Sequence, residues 1–258
     1  MLYETITFDE TDGCAVITLN RPDVMNALNT QMRAEIAHAV GSAGKTARVV
    51  VITGAGPAFC SGQDLGDRAS VASLNLERTL RDEYIPMLMA ISECPVPVIA
   101  AVNGTAAGAG ANLALICDVV IAAKSASFIQ AFTRIGLIPD AGGSYVLPRK
   151  IGMAKAMGAA LFADKISAEQ ASDWGMIFEA VPDEEFATHW AARAAHLANG
   201  PTEAFKRVKQ VMQASWGNGL EEQLMLEGQL QGQCGNTRDF KEGVLAFLEK
   251  RPAQFEGR

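Results

Sequence analysis

The stretch Val96-Pro-Val-Ile-Ala-Ala-Val-Asn-Gly-Thr-Ala-Ala-Gly-Ala-Gly-Ala-Asn-Leu-Ala-Leu-Ile-Cys-Asp-Val-Val-Ile-Ala-Ala123 is long and apolar enough to imitate a membrane span. Asn103, Thr105, Asn112, Asp118 and three glycines interrupt it, so it reads instead as buried strand, turn, helix and strand. Val98–Val102 and Val119–Ala123 are the strands. Unbroken apolar runs mark strands covered on both faces, which is the habit of parallel sheets in α/β proteins. Working outward, Val49–Thr53 is another such run, closed by Gly54-Ala-Gly-Pro57. Thr5–Phe8 and Ala15–Leu19 flank Thr11-Asp12-Gly13, a hairpin pattern. Leu28 to Val40 has helical spacing, and so does Leu74 to Ile91, which Pro86 should kink or divide.

From Ser167 onward the character changes. Ser167-Ala-Glu-Gln170 has capping-box spacing, Asp183 is placed to cap a helix over 184–199, and Thr202 to cap one over 203–212. Helical segments follow over 220–230 and 239–248. The expected organisation is an α/β core over residues 1–200 and a helical region over 201–258, with no repeat at a fixed period.

The chain has 258 residues, 49% hydrophobic and 20% charged, with a formal net charge of −7. A chain of that length buries about three quarters of its unfolded surface, and that composition excludes a disordered or collagen-like chain. The negative sign disfavours the phosphate backbone of nucleic acid as a partner. Cys14, Cys60, Cys94, Cys117 and Cys234 form no metal-binding spacing and read as reduced thiols of a cytoplasmic protein. The acidic opening MLYETITFDETDG has neither the basic nor the apolar region of a secretory signal, and no membrane partner is expected.

The three histidines, His38, His189 and His196, all fall in helical segments away from any nucleophile motif. A Ser-His-Asp or Cys-His engine is therefore disfavoured, and no ligand cluster points to a metal. Two glycine-rich turns carry more chemistry. Phe59-Cys-Ser-Gly-Gln-Asp-Leu65 follows the strand Val49–Thr53, and Asn103-Gly-Thr-Ala-Ala-Gly-Ala-Gly-Ala-Asn112 follows Val98–Val102 and opens a helix. Such turns serve tight packing, or they aim two backbone N–H groups at one oxygen. A dinucleotide site fits poorly, because Leu113 stands where a third glycine is needed. In Ile135-Gly-Leu-Ile-Pro-Asp140-Ala-Gly-Gly143, Asp140 is either the cap of the next helix or a desolvated base.

Several motifs stand in a telling order: Asn20-Arg-Pro…Asn26-Ala-Leu28, Cys60-Ser-Gly-Gln-Asp64-Leu65, Asn103-Gly…Gly108-Ala-Gly-Ala111, Cys117-Asp-Val-Val-Ile121 and Gly136-Leu-Ile-Pro139…Gly142-Gly143. Glu242-Gly…Ala246-Phe247…Lys250-Arg-Pro252 closes the series. Together they resemble the crotonase (enoyl-CoA hydratase/isomerase) superfamily along essentially the whole chain. The resemblance implies a spiral of ββα units with a C-terminal helical trimerisation region, a homotrimer or hexamer, and acyl-CoA substrates with no separate cofactor. It implies that the N–H groups of Gln63 and Ala109 hold the thioester oxygen, and that Ala27, Ser61, Asp64 and Leu65 line the CoA path. It places Phe247 and Lys250 at a neighbouring subunit's CoA, and leaves Arg21 either facing phosphate or solvated.

Family hydratases carry two glutamates at positions that here resemble Asn112 and Phe132. An amide and a phenyl ring cannot deprotonate water or protonate carbon, so these two residues are expected only to shape the pocket. A 1,3-proton shift needs a single base, and Asp140 resembles the carboxylate of the family's isomerases. The strings Ser61-Gly-Gln-Asp-Leu65 and Ala168-Glu-Gln…Trp174-Gly-Met-Ile177 are similar to isomerases of phenylacetate degradation. That implies conversion of 1,2-epoxyphenylacetyl-CoA to oxepin-CoA, of 3-enoyl to 2-enoyl thioesters, or both. The alternatives are a hydratase using other groups and a non-catalytic acyl-CoA binding subunit. Residues 66–73 are a candidate lid.

Overall fold

A computed structural model describes residues 2–66 and 75–258; the candidate lid, apart from Gly66, lies outside the described residues. The hairpin forms as β1 (Ile6–Thr11) and β2 (Cys14–Leu19), paired antiparallel. Along β2 every second residue is buried, as expected of a strand with one covered face. Helix α1 (Thr30–Thr46) starts two residues later than its periodicity suggests, because Asn29 caps it through Met32 N–H. Leu28 is left outside to pair with Gln63.

Then a unit repeats. β3 (Val49–Gly54) and β4 (Ala58–Cys60) are followed by the helical stretch α2 (Leu76–Thr79), a π-turn over Leu80–Tyr84, and α3 (Ile85–Ser92). β5 (Val98–Val102) and β6 (Thr105–Ala107) are followed by α4 (Ala109–Leu115). β7 (Val119–Ala123) and β8 (Ser127–Ile129) lead into a 3₁₀ turn over Ala131–Ile135 and the long α5 (Gly143–Phe162). Each unit gives its first strand to one sheet and its second to another. With β9 (Ile166–Ser167) and β10 (Glu179–Val181), the sheets run β1-β2-β3-β5-β7-β10 and β4-β6-β8-β9. This is the arrangement of ββα units that the resemblance implies. It repeats in topology although the sequence shows no fixed period. Pro86 falls in the first turn of α3, directly after the π-turn that interrupts the α-helical hydrogen bonding at this point.

The core lies between the strands and their covering helices. All of β5 and the first four residues of β3 are buried, which is why they could be read as uninterrupted apolar runs. Among the cysteines, Cys60, Cys94 and Cys117 are buried and Cys14 and Cys234 partly so; none is bonded to another.

Helix α6 (Ala168–Asp173) is capped by Ser167, whose Oγ accepts from Gln170 N–H at 3.1 Å. The other two expected caps are corrected. Asp183 and Thr202 are the first residues of α7 (Asp183–Ala198) and α8 (Thr202–Ala214), and each start is set by the preceding proline. Their side chains serve distant partners instead: Asp183 accepts from Ser125 N–H and Thr202 from Arg48 Nε. Arg48 also donates to Gly200 O, so one arginine of the core fastens the entry to the helical tail. Lys209 makes a second tie, at 2.8 Å from Asp118, which in turn accepts from Val98 N–H. The tail continues through α9 (Leu220–Gly235) and α10 (Arg238–Glu249), which leave Leu224, Phe240, Leu245 and Phe247 exposed. Among the described residues no helix is long and apolar enough to cross a membrane.

Candidate active site

Where β4 and β6 end, the chain encloses a cavity of about 520 Å³. Its lining includes Gly62, Gln63, Ala109, Phe132 and Asp140, together with Leu76 and Thr79 of α2 and Leu80 and Tyr84 of the π-turn. A larger groove, about 920 Å³, runs between α8, α9 and α10. Its lining is mostly apolar; Asp239 there accepts from Glu256 and Gly257 N–H, and Glu227 is exposed to solvent.

Two backbone turns meet at the smaller cavity. Leu28 N–H donates to Gly62 O at 2.7 Å and Asp64 N–H donates to Leu28 O at 3.1 Å, a one-residue parallel bridge centred on Gln63. In such a bridge the N–H of the central residue points away from its partner, here away from Leu28. Ala109 is the first residue of α4, where helical N–H groups have no intrahelical acceptor. Neither N–H has a hydrogen-bond acceptor among the described residues. Glycine lets the turns approach. Gly62 has φ +94°, and a Cβ there would stand 2.8 Å from Ala107 O and 3.2 Å from Ala109 N. A Cβ on Gly110 would stand 2.3 Å from Cys60 O. The Cys60 thiol beside this contact is pushed up to about 12 by burial, so it is no nucleophile at neutral pH.

Asp140 is not a cap. The cap position of α5 belongs to Gly142 (φ +83°), and it is the main-chain oxygen of Asp140 that accepts from Gly143 N–H at 2.8 Å. Ala141 (φ +48°) and Gly142 together turn the chain so that the helix begins beyond reach of the side chain. Asp140 Oδ1 is buried with no hydrogen-bond partner among the described residues. Burial therefore raises the carboxyl to about 6, opposed only by the residue's own N–H. The cap reading of the sequence is overturned, and a desolvated carboxylate in a largely apolar cavity remains.

The other predicted residues divide. Ser61, Asp64, Leu65 and Phe132 join Gln63, Ala109 and Asp140 on the cavity wall. Asn112 does not; it is 1% exposed and lies behind the wall. Its amide donates to Asp140 O at 2.7 Å and its oxygen accepts from Gln130 Nε2 at 2.9 Å. Ala27 also lies off the wall, and its carbonyl accepts from Arg21 at 2.6 Å. Arg21 is half-buried, and its Nη1 lies 2.7 Å from Asp64 Oδ2. Phe247, on α10, and Lys250, its left-handed C-cap, lie away from the cavity of their own chain. His38 pairs with Tyr3 and His189 with Glu179, both outside the cavity. Sequence reasoning missed Arg33, Tyr84 and Glu83. A buried arginine on an amphipathic helix looks like any other charged residue until its partners arrive from elsewhere in the chain.

The sequence profile of the Enoyl-CoA hydratase/isomerase family matches residues 9–258. The chain belongs to this family. A family relative described as "Probable enoyl-CoA hydratase" in Rhodobacter capsulatus is 62% identical over all of both chains. The 1,2-epoxyphenylacetyl-CoA isomerase of Escherichia coli is 45% identical over 95% of this chain and 96% of its own. The crystal structure of an enoyl-CoA hydratase from Bacillus anthracis superposes with a TM-score of 0.92 at 33% identity, covering 99% of this chain and 100% of the other. The protein is thus a crotonase-fold enzyme of the acyl-CoA hydratase/isomerase class.

Proposed function

We propose that this family member is an acyl-CoA isomerase in which Asp140 is the single acid/base. The observation that carries the reading is the state of Asp140: half-buried, with Oδ1 buried and unpartnered and the carboxyl raised to about 6, in the same cavity as two uncommitted backbone donors. The carboxylate removes the proton between the thioester carbonyl and a 3,4 double bond. The electron pair moves onto the carbonyl oxygen, where Gln63 and Ala109 N–H groups stabilise the enolate. Asp140 then returns the proton to C4, leaving a 2,3 double bond. Each donor of this kind is worth about 10²–10³ in rate.

Adding water would need further groups that this cavity does not supply. Asn112 is committed to Asp140 O and Gln130, and Phe132 presents a ring. The finer reading takes 1,2-epoxyphenylacetyl-CoA, yielding oxepin-CoA, and 3-enoyl-CoA esters as substrates; the 45% identity to the Escherichia coli isomerase supports it. CoA enters as part of the substrate, past Ser61, Asp64 and Leu65. The apolar faces of α8–α10 serve assembly into a trimer or hexamer, which would bring Phe247 and Lys250 to a neighbour's CoA. The second reading, a hydratase, is favoured by the description of the 62% identical relative.

One assay separates them. A 3-enoyl-CoA, epoxyphenylacetyl-CoA and a 2-enoyl-CoA are compared, with water addition followed separately. The expected outcome is isomerisation without appreciable hydration, reduced about 10²–10⁴-fold by Asp140→Asn. Hydration faster than isomerisation, or an Asp140→Asn variant with wild-type turnover, overturns the reading.

A further inference from the structure

Arg33 is the least accessible charged side chain in the core, at 1% exposure, and all five of its N–H groups are used. Nε lies 3.1 Å from Glu83 Oε2. Nη1 donates to Leu28 O at 2.5 Å and to Gln63 Oε1 at 3.1 Å. Nη2 donates to Glu83 and to Thr30 Oγ1. The guanidinium also stacks 4.8 Å from the ring centre of Tyr84, and the Tyr84 hydroxyl donates to the same Gln63 Oε1 at 2.7 Å. With no donor left over, this cation has nothing to offer a substrate. Besides Thr30 at the start of its own helix, it holds the Leu28–Gln63 bridge and the π-turn residue Glu83 beside Tyr84.

The geometry points to Arg33 and Tyr84 as positioning residues that fix the direction of the Gln63 N–H. Gln63 is pinned on three sides. The Leu28 bridge holds its backbone, and Arg33 grips both that bridge, through Leu28 O, and the side-chain oxygen. Tyr84, which also lines the cavity, holds the same oxygen from the π-turn. Rotating Gln63 so that its N–H leaves the cavity would strip a buried cation and a buried hydroxyl of an acceptor together, which is costly in a low-dielectric interior. Because Tyr84 ends the π-turn that lines the cavity, the clamp also ties that turn to the thioester-oxygen site. The inference rests on the proposed reading of Gln63 and Ala109 as donors to the thioester oxygen.

The test reads the bond that the clamp would control. The carbonyl stretch of ¹³C-labelled butyryl-CoA, a saturated ester that cannot isomerise, is measured by difference infrared in the assembled enzyme. Wild type, Tyr84→Phe, Gln63→Met and the double variant are compared. Donors aimed at the oxygen lower the stretch in wild type. Tyr84→Phe keeps the ring and its packing, so it should fold normally; it is expected to lose a large part of that lowering. In parallel, kcat for a 3-enoyl-CoA should fall about tenfold with KM within twofold, the effect of one misaimed hydrogen bond. Since the hydroxyl acts through Gln63, adding Tyr84→Phe to Gln63→Met should change neither readout further. A Tyr84→Phe protein with the wild-type stretch, or effects that multiply in the double variant, overturns the clamp while leaving the isomerase reading intact. A wild-type enzyme that binds butyryl-CoA with an unshifted stretch, or does not bind it, overturns the donor reading and the clamp with it.

Discussion

The side-chain amide of Asn112 holds the main-chain oxygen of Asp140 at 2.7 Å, not its carboxylate. The position that resembles one of the hydratase glutamates therefore supports the backbone of the proposed base while leaving its Oδ1 without a partner. Gln130 completes the chain by donating to Asn112 Oδ1. An interaction with the carboxylate would stabilise its charge and lower its basicity; an interaction with the carbonyl fixes its place and leaves basicity to burial.

Asn112→Leu has similar volume and leaves Asp140 O short of one donor and Gln130 Nε2 without its acceptor. Stranding buried polar groups costs about 1–3 kcal/mol each, so unfolding in urea should show a loss of about 2–4 kcal/mol. Turnover should fall by more than tenfold as the Asp140 turn loses its anchor. A variant of unchanged stability and rate would show that the contact is incidental.

Gly62→Ala probes the meeting of the two turns. Alanine at φ +94° is strained, and its methyl would press on Ala107 O, only 2.8 Å away, and on Ala109 N. Relief requires one turn to retreat, separating the two N–H groups. The expected result is a loss of about 10²–10³ in kcat, comparable with deleting one donor. Binding of free CoA, which has no carbonyl at the sulfur, should change much less, and calorimetry of that binding is the control.

These contacts explain which features were legible in the chain. Val98–Val102 and Val119–Ala123 could be read to the residue because strands buried on both faces leave an unbroken apolar run. Asp183 and Thr202 looked like caps because capping is judged within four residues of sequence. Their actual partners, Ser125 and Arg48, are 58 and 154 residues away. Asp140 shows the same limit at the site: its cap and base readings differ only in the left-handed turn at Ala141 and Gly142, which spacing does not reveal. Arg33 was invisible for the opposite reason, since its meaning lies wholly in Gln63, Glu83 and Tyr84.

The proposed base should also govern the pH dependence of the rate. Only the carboxylate form of Asp140 accepts a proton, so kcat/KM should rise with pH and level off above about 6, the value set by burial. A pantetheine thioester is the substrate of choice, because it lacks the CoA phosphomonoester that titrates nearby. Asp140→Asn should abolish the dependence along with the rate, and a wild-type midpoint near 4 would show that the carboxyl is not desolvated in solution.

Stability should move the opposite way over the same range. The Asp140 carboxyl is raised to about 6 in the fold, above the 3.8 of an ordinary aspartate. Between those values the folded state binds more protons than the unfolded chain, so stability falls as pH rises through the window. Above it, the desolvated charge is a standing cost of about 1–2 kcal/mol once partial solvent contact is allowed for. Asp140→Asn removes that charge, and Oδ1 has no hydrogen bond to lose. The variant should therefore be more stable than wild type at pH 7.5, with the advantage shrinking toward zero near pH 4. Urea unfolding of both proteins across that range measures the difference directly. A variant less stable than wild type at pH 7.5 would mean that the ionised carboxylate is held by interactions that stabilise its charge, and a base held that way would be too weak for the proposed proton transfer.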